Sequence, residues 1–351
     1  MYSLNTSSSN ELLTIEWKNN YLLLIDQTKL PTKLSYVKCM NSVDVADAIK
    51  SLVVRGAPAI GVTAAFGLAL AAINSKTSNL KIFLRELSTA YSLIRSTRPT
   101  AVNLQWALDR IMQKITNLGN ISQIKKVVLD EALLMAKEDI ATNKSMGLNG
   151  AKLFSDGDTI MTHCNAGSLA TVAYGTALGV IRAVKESGKK ISVIATETRP
   201  VMQGSRLTAF ELQHEKIDVS LIPDTAVGYV MAKGLVKHVV VGADRILRTG
   251  HVFNKIGTYQ LAVLAKTHSI PFYVVAPSST FDLKNMPKDI VIEERSKDEV
   301  IRIGKQIIAP PNIEVINPAF DITPPKLITK IITEKGIVSP PYTKNIKKLM
   351  E

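Results

Sequence analysis

After about residue 150 the chain alternates short apolar runs with longer helical patterns, and few architectures accommodate that rhythm. The runs TIMTHC, KISVIATET, IDVSLI, HVVVGADR and PFYVVAP are separated by SLATVAYGTALGVIRAV, SRLTAFELQH, TAVGYVMAKG and IGTYQLAVLAKTHS. Short strands alternating with helices predict a Rossmann-like parallel α/β sheet covered on both faces. Such sheets bind ligands outside the carboxyl ends of their strands. The polar groups that follow each strand are therefore the candidates: Cys164-Asn165-Ala166-Gly167-Ser168, Glu197-Thr198-Arg199-Pro200, Asp224-Thr225 and Gly242-Ala243-Asp244-Arg245. Further on, NPAFDITPPKLIT at 317–329 reads as a Pro-punctuated return segment packing against the site or a second copy of the chain.

The first half has a different texture. LLTIEW, YLLLIDQT and KLSYVKC predict short strands, and from residue 43 the period becomes helical, through VDVADAIKSLVV and then over 79–95, 101–117 and 121–143. Arg98-Pro99-Thr100 interrupts between two of these helices. The expected architecture is thus α/β: an N-terminal small β-sheet plus helix bundle over 1–145, and a C-terminal parallel α/β domain over 146–351. A chain of 351 residues is long for one core, which agrees with two domains. The stretch APAIGVTAAFGLALAAI, 57–73, carries no charge and sits at the short edge for a membrane span. It is rich in Ala and Gly and has Pro58 at its start, where a missing N–H costs nothing, so it predicts a buried core helix.

Bulk composition excludes several classes. The net charge of +13 favours anionic partners, but the lysines are dispersed, which serves solubility, and aromatics at 5 % do not make a stacking platform for single-stranded nucleic acid. No nucleic-acid or membrane partner is expected. Two cysteines, Cys39 and Cys164, make no disulfide framework, and the polar start MYSLNTSSSNELLTIEW has no apolar signal region, so a cytoplasmic protein is expected. The five histidines show no zinc spacing, neither cysteine has a C-x-x-C partner, and no G-x-G-x-x-G, P-loop or G-x-S-x-G sequence occurs. No metal and no nucleotide cofactor is expected.

What remains are single residues with two readings each. Cys164 follows a strand and precedes a helical pattern; a helix N-terminus would lower its pKa and make it a base or nucleophile, while a buried packing thiol is the plainer reading. Asn165 and the Gly167-Ser168 amides could hold an anion, or Ser168 could simply cap the helix. Asp244 ends an apolar strand, where desolvation would raise its pKa and suit it to general-acid work, or it pairs with Arg245 at the surface. Arg55, Arg98, Arg199 and Lys255 flank turns in settings that suit phosphate, and Gln203 and Asn254 suit sugar hydroxyls.

Taken together, RGAPAIGVTAAFGLAL (55–70), RPTAVNLQWAL (98–108), THCNAGSLATVAYGTALGVI (162–181), ETRPVMQGSRLTAFEL (197–212), PDTAVGYVM (223–231), VVVGADRI (239–246), NKIGTYQLAVLAK (254–266) and NPAFDITPPKLIT (317–329) resemble the S-methyl-5-thioribose-1-phosphate isomerase family of methionine salvage. The resemblance runs in order from about residue 12 to about 345. A wider group includes ribose-1,5-bisphosphate isomerase and regulatory subunits of the translation-initiation nucleotide exchange factor. The resemblance implies an aldose–ketose isomerase acting on a sugar phosphate, without metal or cofactor, as a homodimer. It implies Cys164 and Asp244 as the catalytic pair and Arg55, Gly56, Ala57, Arg98, Gln203, Asn254 and Lys255 as substrate-binding positions. One departure is the turn Arg248-Thr249-Gly250-His251, where the family commonly has an acidic residue. Within the wider group the alternatives are a related isomerase of ribose 1,5-bisphosphate or 5-deoxyribose 1-phosphate, or a non-catalytic regulatory subunit.

Overall fold

The computed structural model describes residues 11–99 and 101–351; the first ten residues of the polar start, and Thr100 of the Arg98-Pro99-Thr100 break, lie outside the described residues. The chain forms two units, one of residues 1–144 with 166–175, the other of residues 145–165 with 176–351. It leaves the second unit immediately after Asn165 and re-enters at Thr176.

In the first unit an antiparallel meander, β1 (Ile15–Lys18), β2 (Tyr21–Ile25) and β3 (Tyr36–Cys39), precedes helices α1 (Ser42–Lys50), α2 (Ala57–Asn74), α3 (Leu80–Thr97) and α4 (Val102–Ile115). Helix α5 (Ile121–Ala151) completes it and runs on into the second unit. The charge-free stretch is α2. By length and composition it could cross a membrane, yet every residue from Ala59 to Leu70 is buried. Its small residues explain why: a Cβ on Gly61 would stand 2.9 Å from the Asn103 carbonyl oxygen, and one on Gly67 would stand 2.7 Å from Ile94 Cδ1 and 2.9 Å from Val45 Cγ1. Helices α1, α3 and α4 approach α2 more closely than larger side chains allow. Phe66, Leu68 and Leu70 are fully buried, each worth roughly 1.5–3 kcal/mol of burial, and Trp17 stacks on Phe66 with centroids 5.3 Å apart.

The second unit is built on a seven-stranded sheet. Its strands are β4 (Thr159–Thr162), β5 (Ser192–Thr196), β6 (Asp218–Ile222), β7 (His238–Val241), β10 (Phe272–Val275), β15 (Lys330–Thr333) and β16 (Gly336–Val338), in the order β16-β15-β10-β7-β4-β5-β6. All pairs are parallel except the β15–β16 edge. Helices α6 (Ala177–Glu186), α7 (Ala209–His214), α8 (Val227–Ala232) and α9 (Thr258–Thr267) make the crossovers. The chain adds β5 and β6 on one side of β4, then returns to add β7, β10 and β15 on the other. The topological switch lies between β4 and β7, where a doubly wound sheet opens a crevice at its carboxyl edge.

A second, four-stranded sheet in the order β11-β8-β9-β14 contains β8 (Arg245–Leu247), β9 (Val252–Lys255), β11 (Phe281–Asp282) and β14 (Phe320–Thr323). The rest is α10 (Asp298–Ile301), a small β12–β13 ladder (Arg302–Ile303, Gln306–Ile307) and α11 (Tyr342–Met350). The expected small sheet with helices and the parallel α/β sheet are both present. The side sheet and the two last strands of the main sheet lie outside what the alternating pattern predicts.

The tight helix crossing in the first unit predicts that Gly67→Leu lowers stability by about 1–3 kcal/mol through overpacking against Ile94 and Val45; denaturant-induced unfolding measures it.

Candidate active site

Cys164 lies two residues past the end of β4. It is half-buried, and its φ of 63° is in the left-handed region that few non-glycine residues adopt. Two hydrogen bonds hold its peptide groups: the Cys164 N–H donates to Thr198 Oγ1 at 2.9 Å, and Thr208 Oγ1 donates to the Cys164 carbonyl at 2.6 Å. The expected helix does not begin here. A single 3-10 turn, Ser168–Ala170, follows, and α6 starts only at Ala177 with Thr176 as its N-cap. The macrodipole argument for Cys164 therefore falls, and Ser168 is not a helix cap. The reason is the excursion of residues 166–175 into the first unit. The small residues there serve close packing, so Gly56, with φ of 93°, meets Ala170 where a Cβ would stand 2.6 Å from its Cα.

Beside it, the end of β5 carries a second strained turn. Thr198, a β-branched residue, has a φ of 63°. The Asp224 carboxylate holds it by accepting the N–H groups of Thr198 at 2.8 Å and Arg199 at 2.7 Å. Asp224 is thus a structural anchor. Arg199 spends its guanidinium on the carbonyls of Pro200 and Val300, which removes it as a phosphate fork. Gln203 opens a π-helical turn, Gly204–Thr208, the kind of irregular turn that recurs at functional sites. A Cβ on Gly204 would stand 1.7 Å from the Thr196 carbonyl oxygen, so only glycine lets this turn close on β5. Gln203 is buried, and its Oε1 has no hydrogen-bond partner among the described residues. An unpaired buried acceptor is costly in the absence of a ligand donor.

On the other side of β4, Asp244 follows β7 and is half-buried. Its neighbour Arg245 pairs with Asp282 at 2.8 Å. The β8–β9 hairpin then turns the chain back, and the Asp244 N–H donates to the Phe253 carbonyl at 2.9 Å. That bond sets Asp244 beside the Phe253–Asn254 peptide. The divergent turn Arg248–His251 is the far tip of this hairpin, away from Asp244 along β8. Asn254 is buried and donates to Thr258 Oγ1 at 3.0 Å, and Lys255 Nζ donates to the Ala319 carbonyl at 3.0 Å and lies 4.9 Å from the Phe320 ring centroid. The return segment 317–329 supplies this support, because β14 pairs with β9 and aligns Asp321 with Asn254. Asp321 accepts the N–H groups of Gly257 at 2.7 Å and Tyr259 at 3.0 Å, capping α9, and burial pushes its carboxyl up to about 6.

His163, adjacent to Cys164, ties these turns together. Its Nε2 bonds the Ile256 carbonyl at 2.8 Å and its Nδ1 the Thr196 hydroxyl at 2.6 Å. A carbonyl only accepts, so Nε2 carries the hydrogen. Burial holds the ring below the ordinary histidine pKa; in the neutral ring Nδ1 accepts from Thr196. Beneath the Cys164 turn, Arg182 of α6 pairs with Glu211 at 2.7 Å and Glu215 at 2.6 Å of and beside α7, and Asn165 donates to Glu211 at 2.7 Å. Burial by itself would lower the Arg182 pKa, but the two carboxylates outweigh it and hold it above the ordinary value.

The second unit thus gathers Gln203, Cys164 and Asp244 at the carboxyl ends of the adjacent strands β5, β4 and β7, with Asn254 and Lys255 beside Asp244. Arg55, Gly56, Ala57 and Arg98 belong to the first unit. There Gly56 caps α2, with Pro58 in its first turn, and Arg98 caps the end of α3. Gly67 faces Ile94 and Gly61 faces Asn103, so α3 runs back along α2 and returns Arg98 to the Arg55–Ala57 end. Among the described residues no group of three or more His, Cys, Asp or Glu side chains converges as a metal site would need. Thr198 stood among the strand-end candidates, whereas His163, Thr208, Glu211 and Asp321 were not legible as site residues; only their places at strand ends or on elements packed there would have marked them.

The sequence model of the initiation factor 2 subunit family matches residues 53–340. The chain belongs to this family. Within the initiation factor 2 subunit family it is 54 % identical, over 97 % of its length and 98 % of the relative's, to the protein named methylthioribose-1-phosphate isomerase of Fervidobacterium nodosum. Among solved members it superposes on 5-methylthioribose 1-phosphate isomerase from Pyrococcus horikoshii OT3 with a TM-score of 0.91 and 47 % identity, covering 96 % of this chain and 95 % of that one. It superposes on a family structure titled translation initiation factor eIF-2B, subunit delta, from A. fulgidus with a TM-score of 0.88 and 51 % identity, covering 97 % and 99 %.

Because neutral His163 is buried and bonded at both nitrogens, protons bind the unfolded chain first as pH falls below about 6.5, and stability falls with them. The variant His163→Asn is expected to show lower stability at neutral pH and a shallower loss on the acid side, read from denaturation midpoints across that range.

Proposed function

We propose that the chain is an aldose–ketose isomerase that converts S-methyl-5-thioribose 1-phosphate to S-methyl-5-thioribulose 1-phosphate in methionine salvage. The observation that carries this reading is the near full-length identity of 54 % to a relative named for that activity. The site geometry agrees with the chemistry required. The phosphate on O1 blocks spontaneous ring opening, so the bond from C1 to the ring oxygen must be broken by protonating that oxygen. Asp244 is the general acid for this step. A hydrogen then moves from C2 to C1.

In one route the Cys164 thiolate takes the C2 proton, an enediol phosphate forms, and the thiol returns the proton to C1. In the other a hydride shifts directly from C2 to C1, and Cys164 stabilises the transition state. In both, O2 loses its proton to the Asp244 carboxylate and becomes the ketone oxygen. Solvent deuterium separates the two, since the first route exchanges label into C1 and the second does not. Neither route needs a metal or a nicotinamide.

The unpaired Oε1 of Gln203 accepts a sugar hydroxyl, with Asn254 as a second sugar contact. Arg55 and Arg98 on the first unit and Lys255 on the second each bring a charge suited to phosphate, and Gly56 and Ala57 offer backbone groups to the same substrate. The active form is a cytoplasmic homodimer with a small sugar phosphate as its partner, and the basic charge does not serve nucleic acid.

A second reading follows from the solved relative titled as an initiation-factor subunit, at 51 % identity. It makes the chain a non-catalytic regulatory subunit. A panel of S-methyl-5-thioribose 1-phosphate, 5-deoxyribose 1-phosphate and ribose 1,5-bisphosphate, assayed for ketose formation, decides among them. Fastest turnover of the methylthio sugar is expected; preference for another sugar moves the assignment to a related isomerase, and no turnover of any favours the second reading.

Two variants test the roles. Cys164→Ser and Asp244→Asn are each expected to cut kcat by at least about 100-fold at an unchanged thermal midpoint, and near wild-type turnover in either removes that residue from the chemistry. Arg98→Ala is expected to raise KM for the phosphorylated sugar, measured under the same assay; an unchanged KM takes Arg98 out of the phosphate site.

A further inference from the structure

The turn that presents Cys164 is connected to a buried ion cluster by hydrogen bonds whose direction is fixed at every link. The Arg182 guanidinium donates to Glu211 Oε2 at 2.7 Å and to both oxygens of Glu215 at 2.6 Å. Glu211 is fully buried. Its other oxygen, Oε1, accepts from Asn165 Nδ2 at 2.7 Å, and the same Nδ2 lies 3.2 Å from Thr208 Oγ1. The Thr208 hydroxyl in turn donates to the Cys164 carbonyl at 2.6 Å. A carboxylate can only accept, so it requires Asn165 to turn its NH2 group toward Glu211 and Thr208. A hydroxyl receiving that NH2 keeps its own hydrogen for the Cys164 carbonyl. With the amide reversed, the Thr208 hydroxyl would donate to Asn165 Oδ1, and the Cys164 carbonyl would lose its partner.

We infer that Glu211, acting through Asn165 and Thr208, is a positioning residue for Cys164: its buried charge fixes a directed chain of hydrogen bonds that holds Cys164 in its left-handed conformation. This rests on the reading of Cys164 as a catalytic residue. A buried pair of opposite charges is not in itself a stabilising choice, since apolar side chains of similar size serve a core as well. A directing role accounts for the placement of this one. It sits directly behind the residue at which the chain leaves the second unit, and Cys164 there has a φ of 63°. The Thr198 hydroxyl, which accepts the Cys164 N–H, holds the other side of the same residue. Removal of either hold lets the residue relax toward ordinary backbone angles and moves the thiol.

The test uses the full-length protein and two readouts. One is steady-state isomerisation of S-methyl-5-thioribose 1-phosphate. The other is the rate of alkylation by iodoacetamide, which needs no substrate and reports on Cys164, because Cys39 is fully buried and its thiol is pushed up to about 12. Thr208→Val removes only the last link and leaves the ion cluster intact; Glu211→Gln removes the charge that orients Asn165. For Thr208→Val the expected result is a fall in kcat on the order of 100-fold, as for a misplaced catalytic group, with KM and thermal midpoint unchanged. A several-fold change in alkylation rate accompanies it, and Thr208→Ser restores both. Glu211→Gln moves the same readouts in the same direction if it folds, and Thr208→Val decides the matter if it does not. Wild-type kcat and alkylation rate in folded Thr208→Val overturn the inference. If wild-type protein isomerises none of the sugar phosphates, the proposed function fails, and the alkylation comparison still decides the positioning.

Discussion

The pairing of Thr159–Thr162 on both of its edges governs this molecule. One side of that strand is bonded in parallel to Ser192–Thr196 and the other to His238–Val241. Between it and His238–Val241 the order of strand addition reverses, so no crossover helix covers the gap at the carboxyl edge. Cys164 and Asp244 are the residues the chain delivers to either side of that gap. Their placement at one sheet edge follows from the hydrogen-bond register of the strands that precede them.

Holding functional groups at such an edge places demands on the backbone. Cys164 and Thr198 both occupy the left-handed region, and each is held by side chains from elsewhere in the sequence. Asp224 takes two amides of the Thr198 turn, and Thr208 takes the Cys164 carbonyl. Asp321 secures the turn after Lys255 in the same manner. Left-handed backbone costs of order 1–3 kcal/mol per residue and persists only where the surroundings over-determine it. Several acidic and basic residues that look like reagents in the sequence are therefore fixtures. Arg199, Arg245 and Asp224 all spend their charge or forks on protein groups.

This distribution bears on how a family of one fold can carry both isomerase and initiation-factor titles. The fold alone does not select between them. Under the proposed function the selection lies in chemistry at the sheet edge, with a thiol and a carboxyl on the two strands at the switch point and Gln203 Oε1 as a buried acceptor without a partner among the described residues. The contacts that hold these turns extend well past Cys164 and Asp244, into a buried arginine–glutamate cluster and a return strand more than seventy residues from Asp244 in the chain.

Much of this was legible in the sequence. Strand and helix periods located the parallel sheet, because a buried strand must be apolar along its length and a covering helix must repeat near every third or fourth residue. The same patterns identified the Ala- and Gly-rich stretch at 57–73 as a core helix, the carboxyl-edge rule put Cys164 and Asp244 among the candidate groups, and the family resemblance paired them. Local pattern failed where packing overrode it. SLATVAYGTALGVIRAV has helical composition, yet its first half crosses to the other unit and only residues from Ala177 on form the helix. Arg199 looked like a phosphate fork because a sequence does not show which carbonyls surround a guanidinium. His163, Thr208, Glu211 and Asp321 were silent for the same reason. Their roles are partnerships across 33 to 93 residues of chain, and only the folded sheet brings those partners within hydrogen-bond distance.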